Sequence, residues 1–275
     1  MRILHTSDWH LGRQFHGLSL DDDHEHILVQ ILAVIDDERP DVVIIAGDIF
    51  DRANPPQSAI TRLSQFLTTV RAASDAAIVI IAGNHDSAAQ IGAMGVLADG
   101  GAAIVRGPLD EDERPLVISD ADGPVAISAL PFAFEYAARL CFEDDAIACP
   151  ADVIRAQLAS ARSHVADGMR WVVVAHAFVD GAATSESERP LTRMVGGIET
   201  VSATAFDGAH YVALGQRFRP LWRRRDDRFS RSDKCRPIRD LRSYWFGQVI
   251  DLQRHLICPV WRRGQGGTGH RDHAV

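Results

Sequence analysis

Residues 77–86 read AIVIIAGNHD, a short apolar run that ends on a glycine and three residues able to bind a metal ion. The run is short and rich in β-branched residues, so it predicts a buried β-strand. Residues 41–48, DVVIIAGD, repeat the pattern, and residues 171–176, WVVVAH, end on a histidine. Ligands of parallel sheets bind beyond the carboxyl ends of the strands. We therefore expect these polar residues to converge on one site.

Helical patterns lie between the apolar runs. In residues 22–38 the apolar side chains recur at spacings of three and four, which predicts an amphipathic helix that Pro40 ends. Residues 57–70 and 152–165 repeat this pattern. Further short apolar runs, also predicted as strands, occupy residues 2–6, 125–130 and 211–214. The alternation of strands and helices predicts an α/β fold of layered sheets and helices.

The composition is that of an ordinary globular protein. Of the 275 residues, 46% are hydrophobic and 24% are charged. No run approaches the roughly 18 apolar residues of a membrane span, and the sequence opens on a predicted strand instead of a signal peptide. We therefore expect a cytoplasmic protein without membrane association. The four cysteines lack the C-x-x-C spacing of a zinc site, so none is predicted to bind zinc.

Four motifs carry a resemblance to a known family. They are Asp8-x-His10, Gly47-Asp48-x-x-Asp51, Gly83-Asn84-His85-Asp86 and the later His176. Together they resemble the signature of the calcineurin-like metallophosphoesterases. Within that superfamily, the chain resembles the SbcD family of nuclease subunits at residues 4–12, 46–52, 175–179 and 185–189. The resemblance runs from residue 1 to about Gly215, and it implies a four-layer sandwich in which two packed β-sheets are flanked by helices.

The resemblance also implies a site with two divalent metal ions, expected to be Mn²⁺. The implied ligands are Asp8 and His10 for the first ion, Asn84 and His176 for the second, and Asp48 as a bridge between them. His85 is the implied catalytic residue, which protonates or orients the leaving oxygen of a scissile phosphate. This chemistry is coherent, because two cations neutralise a phosphodiester and lower the pKa of a bound water. Asp86 could either orient His85 or cap a helix predicted over residues 87–97.

As a member of the SbcD family, the chain is expected to be a metal-dependent hydrolase of DNA. The expected activities are a 3′ to 5′ exonuclease on duplex ends and an endonuclease on single strands and hairpins, in DNA recombination, replication and repair. The expected partner is an SbcC-type ATPase subunit. Two alternatives stay open: a metallophosphoesterase of another substrate class, and a non-catalytic remnant. The sequence assigns no substrate-binding residues.

The match to the family ends after residue 215. Members of the family continue with G-H-x-H, whose two histidines complete both metal sites, whereas this chain has Gly215-Gln216-Arg217-Phe218. Both ligands are absent, so we expect impaired activity. The capping and SbcC-docking segments that follow in the family are not recognisable either. The chain is therefore divided into a metallophosphoesterase domain, residues 1–215, truncated at its last motif, and an atypical tail, residues 216–275.

The tail also differs in charge. The whole chain has a net charge of -8, but residues 217–275 hold 15 Lys and Arg against 6 Asp and Glu. One hypothesis is a shifted reading frame at or just after Gly215, which the other two frames of the coding DNA would reveal by containing G-H-x-H. The alternatives are a disordered tail and a diverged DNA-binding tail, in which arginines contact phosphates and tryptophans stack on bases.

Overall fold

Strands and helices alternate through most of the chain in the computed structural model, which describes residues 1–98, 103–179, 200–215 and 247–251. The predicted tail, apart from the backbone of its residues 247–251, and the charged segment 185–189 lie outside the described residues. The strands are β1 (Arg2–Thr6), β2 (Gln14–Phe15), β3 (Leu18–Ser19), β4 (Val42–Ala46), β5 (Ala77–Ile81), β6 (Ala103–Arg106), β7 (Leu116–Asp120), β8 (Gly123–Leu130), β9 (Arg170–His176), β10 (Tyr211–Gly215) and β11 (Gly247–Asp251). The α-helices are α1 (Asp21–Glu38), α2 (Gln57–Ala73), α3 (Ala88–Ala93), α4 (Glu135–Phe142) and α5 (Pro150–Ser163).

Two sheets form the centre of the fold. The first has the order β11-β1-β4-β5-β6, and the second has the order β10-β9-β8-β7. In the first sheet β1, β4, β5 and β6 are parallel, while β11 pairs antiparallel with β1. In the second, β8, β9 and β10 are parallel and β7 pairs antiparallel with β8. Most carboxyl ends of the parallel strands can therefore contribute to one edge.

Three apolar layers hold the sheets and helices together. Between the sheets, side chains such as Ile44 and Val79 pack against Ile127 and Val174. Apolar residues of α1 and α2 cover the outer face of the first sheet. Residues of α5 cover the outer face of the second. This arrangement confirms the predicted four-layer α/β sandwich, since each sheet buries one face against the other and one against helices.

The helix ends follow the sequence signals, with one exception. Helix α1 begins with three aspartates, which favour the amino-terminal end of the helix dipole. The predicted helix over residues 87–97 is wrong in its second half, because α3 ends at Ala93 and a 3₁₀ turn, Met94–Ala98, follows. Gly92 and Gly95 lower the helix propensity there, so the chain tightens instead of continuing the α-helix. No helix in the described ranges has the length and apolar character needed to cross a bilayer.

A buried histidine links the two sheets. His5 of β1 lies 2.9 Å from the hydroxyl of Tyr211 in β10, measured from its Nδ1. Burial lowers the pKa of His5 from 6.5 to about 3. The unfolded chain therefore takes up a proton at this residue below about pH 6.5, whereas the folded chain does not. Protonation in the unfolded state stabilises that state, so the stability of the fold falls as the pH drops through this window.

We expect His5→Phe to make the loss of stability with acid shallower. The difference in slope between pH 6.5 and pH 4 should approach about 1.4 kcal/mol per pH unit, the value for one proton. Urea unfolding at a series of pH values, with EDTA present, measures it. The exposed His16 provides the control, because His16→Phe should leave the slope unchanged. Equal slopes for the His5→Phe variant and the natural chain would contradict this account of His5.

Candidate active site

The polar residues that follow β1 and β4 lie on two loops that are bonded to each other. The backbone N–H of Asp8 donates to Gly47 O at 3.0 Å, and that of His10 donates to Asp48 O at 3.0 Å. Asp8, His10 and Asp48 have positive φ angles of 57°, 47° and 50°. Such conformations cost non-glycine residues about 1–3 kcal/mol and cluster at functional sites. The two loops are therefore held in a conformation that the local sequence alone would not favour.

Three glycines allow the loops and strands to approach one another closely. A Cβ atom on Gly47 or on Gly215 would collide with the His176 ring. A Cβ atom on Gly83 would collide with the backbone N and the carboxylate of Asp48. Gly47 also has a φ of 85°, a conformation that L side chains rarely adopt. The glycines thus leave room only for the backbone around Asp48 and His176.

The Asp48 carboxylate occupies the centre of the site. It is 2% exposed, and its Oδ1 accepts a hydrogen bond of 2.9 Å from the backbone N–H of His85. The same oxygen lies 3.4 Å from Nε2 of His176, while Oδ2 lies 3.9 Å from Nε2 of His10. One carboxylate therefore faces histidines on both sides, which is the arrangement that a bridging ligand requires.

The potential metal ligands form two groups around Asp48. One group consists of Asp8, Asp48 and His176, the other of His10, Asp51 and His85, and the ligand atoms within each lie within 4.8 Å of one another. The structure thus brings Asp8 together with His176, whereas the sequence assigned Asp8 and His10 to one ion. Asn84 joins the first group, because its Oδ1 lies 2.9 Å from Nε2 of His176. The roles of these ligands remain predictions.

His176 is held by one nitrogen and presents the other to the site. Its Nδ1 donates to Ala46 O at 2.8 Å, so Nε2 is the nitrogen that faces Asn84 and Asp48. Burial alone would lower the pKa of His176, but the Asp48 carboxylate raises it to about 9. Burial alone would likewise raise the pKa of Asp48, but His176 and two further histidines lower it to about 2. A metal ion binds unprotonated imidazole, so it would take the place of this proton.

The other two residues of the motifs have structural partners that the sequence did not indicate. Asp51 received no role from the sequence, yet its backbone O accepts a hydrogen bond of 2.9 Å from Nδ1 of His85. The only signal for Asp51 was its place in the G-D-x-x-D motif. Asp86 follows neither of its two predicted alternatives. The helix cap of α3 is Ser87, whose side chain accepts from the backbone N–H of Gln90 at 3.4 Å.

Asp86 instead connects the β4 and β5 loops. Its carboxylate accepts hydrogen bonds from the backbone N–H groups of Gly83 at 2.8 Å, Ile49 at 3.1 Å and Phe50 at 2.9 Å. Burial raises the pKa of this carboxyl group. Such bonds to backbone groups have no sequence signature, so the prediction had no means of finding them. Asp86 fixes the loops that carry Asp48 and His85.

The chain leaves the second sheet beside this site. Gly215, the last residue of β10, pairs with His176 in β9. The following residues, Gln216, Arg217 and Phe218, stand where the family has its last two histidines, and they lie outside the described residues. The absence of those histidines therefore rests on the sequence alone.

Comparison with known proteins agrees with this geometry. Residues 1–127 match the model of the calcineurin-like phosphoesterase family. Together with the two-sheet fold and the residues gathered around Asp48, this match identifies the chain as a calcineurin-like phosphoesterase.

Among proteins of this class, the chain resembles SbcD, a component of the nuclease SbcCD. It is 32% identical over 221 residues to SbcD from Staphylococcus saprophyticus and 30% identical over 221 residues to SbcD from Staphylococcus epidermidis. Each alignment covers 80% of this chain but only 57% and 58% of the respective relatives. The chain thus spans less than two thirds of the length of these relatives.

Proposed function

We propose that the chain is a metal-dependent DNA nuclease, the SbcD-type component of a complex with an SbcC-type ATPase. The observation that carries the proposal is the Asp48 carboxylate between two groups of potential ligands. The names of the two relatives support DNA as the substrate and SbcC as the partner. The proposed activities are 3′ to 5′ exonuclease on duplex ends and endonuclease on single strands and hairpins. The proposed setting is DNA recombination, replication and repair in the cytoplasm.

The donor set fits two divalent ions. The proposed ligands are Asp8, His10, Asp48, Asn84 and His176, with Asp48 as the bridge. Carboxylate, amide and imidazole donors together suit Mn²⁺, which accepts both oxygen and nitrogen ligands. The glycines around Asp48 and His176 leave a space that a Cβ atom would fill. When bound, the two ions would neutralise the phosphodiester and lower the pKa of a water nucleophile.

His85 is the proposed proton donor. Its Nδ1 donates to the backbone O of Asp51, so Nε2 is the nitrogen that can carry a second proton. Its backbone N–H bonds to Asp48, so the ring is placed next to the proposed bridging ligand. His10 lies on the other side, with ring centroids 4.8 Å apart. We assign to His85 the protonation of the 3′ oxygen that leaves the scissile phosphate.

We expect His85→Ala to keep Mn²⁺ binding while losing turnover by about 10²–10⁴-fold, the usual contribution of a general acid. Calorimetry measures metal binding, and hydrolysis of bis(p-nitrophenyl) phosphate with Mn²⁺ measures turnover. His26→Ala, a change at an exposed histidine of α1, is the matched control and should alter neither quantity. Loss of metal in His85→Ala would show that His85 is a ligand and not the acid.

The proposal as a whole is tested with the same chromogenic diester and with labelled duplex and hairpin DNA. Cleavage of all three substrates with Mn²⁺, and of none in EDTA, is expected. Cleavage of the chromogenic diester without cleavage of DNA would favour a phosphoesterase of another substrate class. Cleavage of none of them at saturating Mn²⁺ would favour a non-catalytic remnant.

A further inference from the structure

A row of aromatic side chains extends from the candidate active site to the protein surface. The ring of Phe132 lies 6.4 Å from that of His176 between centroids, and that of Phe134 lies 5.1 Å from Phe132. Tyr136 lies 5.9 Å beyond Phe134, and these two rings are stacked with an interplanar angle of 12°. We call Phe132, Phe134 and Tyr136 the aromatic row. It begins at a proposed metal ligand.

The inner end of the aromatic row is fixed relative to the site. The backbone N–H of Phe132 donates to Ala82 O at 2.9 Å, directly before the segment that carries Asn84 and His85. The preceding carbonyl, Pro131 O, accepts a buried hydrogen bond of 2.9 Å from the Gln157 side chain. The position of Phe132 is therefore set by the same backbone that positions the proposed catalytic histidine.

The outer end of the aromatic row faces solvent. Phe134 is 47% exposed and Tyr136 is 62% exposed. Large aromatic side chains contribute most when they are buried, so two adjacent exposed and stacked rings are suited to binding another molecule. Both lie at the start of α4, where Phe134 is the residue that precedes the helix and Tyr136 lies in its first turn.

The charge of the protein limits what can bind there. Residues 1–216 hold 14 Lys and Arg against 31 Asp and Glu, which disfavours a DNA contact based on phosphate attraction. Glu135 and Glu143 lie at the two ends of the same helix. Proteins that bind single strands also use stacking of bases on aromatic rings, a contact that needs no basic surface. An unpaired nucleic acid strand is the ligand that combines flat rings with a phosphodiester.

We infer that the aromatic row is a stacking platform for the bases of an unpaired strand whose scissile phosphate lies at the Asp48 site. The inference rests on the proposed nuclease function and adds a substrate-positioning surface to it. The cavity beside the row, lined by Phe132, Phe178 and His176 among others, has a volume of only about 50 Å³. A water molecule occupies about 30 Å³ in the liquid, so this cavity is too small for a base. The bases stack on the exposed rings instead of entering a pocket.

Binding of a fluorescent single strand tests the platform. The probe is an oligonucleotide that contains 2-aminopurine, whose fluorescence falls on stacking, with a hydrolysis-resistant phosphorothioate backbone and Mn²⁺ present. The natural full-length chain should bind the probe and quench it. Tyr136→Ala should weaken binding by roughly 5- to 100-fold, the range for loss of one base–aromatic stack, and should relieve the quenching. Tyr136→Phe should retain both, because the ring is kept.

The matched control is Leu140→Ser. Leu140 is 80% exposed and lies one turn beyond Tyr136 on the same helix, but it is outside the aromatic row. A stacking platform predicts that Leu140→Ser leaves Kd and quenching unchanged. Equal loss of binding in Leu140→Ser and Tyr136→Ala would overturn the inference in favour of a general apolar contact surface. Unchanged binding in both Tyr136→Ala and Phe134→Ala would also overturn it.

An abasic probe separates stacking from other contacts. An oligonucleotide of the same length with abasic sites throughout should bind equally weakly to the natural chain and to Tyr136→Ala. A penalty for Tyr136→Ala that persists on the abasic probe would contradict stacking. Hydrolysis of bis(p-nitrophenyl) phosphate distinguishes the two proposals. Quenching without hydrolysis contradicts the proposed nuclease function, and hydrolysis without quenching contradicts the platform alone.

Discussion

Asp48→Ala is expected to reduce Mn²⁺-dependent phosphodiester hydrolysis to the background level. The Asp48 carboxylate lies between His10 and His176, so its loss would remove a ligand from both proposed ions at once. It would also leave two dications without the negative charge that separates them. Metal ions supply several kcal/mol of charge stabilisation in such reactions, so a fall of at least about 10³-fold is expected. Initial rates on bis(p-nitrophenyl) phosphate, across a range of Mn²⁺ concentrations, measure it.

Two further variants make the result specific to the bridging carboxylate. Asp48→Asn retains the shape and one oxygen but loses the charge, so it should also lose most of the activity. Asp36→Ala removes an exposed aspartate of α1 and should leave the rate unchanged. Circular dichroism shows whether each variant is folded. A folded Asp48→Ala variant with the rate of the natural chain would remove Asp48 from the site.

The natural chain is expected to be a poor nuclease, the second large effect. The family places two histidines at the positions that Gln216 and Phe218 occupy in this sequence. Each ion would therefore lose one imidazole ligand. Gln216 still offers an amide oxygen, but Phe218 offers no donor, and Arg217 adds a positive charge close to a site for dications.

Restoring the two histidines should improve metal binding without full repair of activity. Replacing a ligand's hydrogen-bonding partner changes metal affinity by 10–100-fold, so restoring the ligands themselves should tighten Mn²⁺ binding by at least about tenfold. Residues 216–275 hold no recognisable capping or SbcC-docking segment, and poor substrate positioning would keep cleavage of a duplex end slow. Calorimetry and a cleavage assay on Gln216→His combined with Phe218→His measure both quantities.

The control for this pair is Gln216→Ala combined with Phe218→Ala, which removes the same side chains without adding a ligand. It should not tighten Mn²⁺ binding. Tight binding of two ions and rapid cleavage by the natural chain would contradict the prediction of impairment. Full activity after restoration of the histidines would contradict the second half, because substrate positioning would then not be limiting.

The sequence predicted the central strands well because their signal is local. β4 and β5 are continuous apolar runs that end on glycine, and their observed bounds differ from the predicted ones by a single residue. β7 was missed because it is half-exposed and antiparallel, with alternating burial and no run of apolar residues. Helix α4 was missed as well, because its eight residues are too few for a clear periodic pattern.

The site was predicted by residue identity but not by geometry. The strand ends indicated which polar residues converge, since the carboxyl ends of parallel strands share one edge. The proximity of Asp8 to His176 depends on how the second sheet packs on the first, which no local pattern contains. The three backbone hydrogen bonds of Asp86 are equally invisible in a sequence.

The central claim is that Asp48 bridges two metal ions, and electron paramagnetic resonance of the Mn²⁺-loaded chain tests it most directly. Two Mn²⁺ ions that share a carboxylate are magnetically coupled, whereas isolated ions give separate uncoupled signals. At saturating Mn²⁺ the natural chain should show the coupled signal, and Asp48→Ala should lose it. A natural chain that binds only uncoupled ions, in the same amount as Asp48→Ala, would contradict the claim.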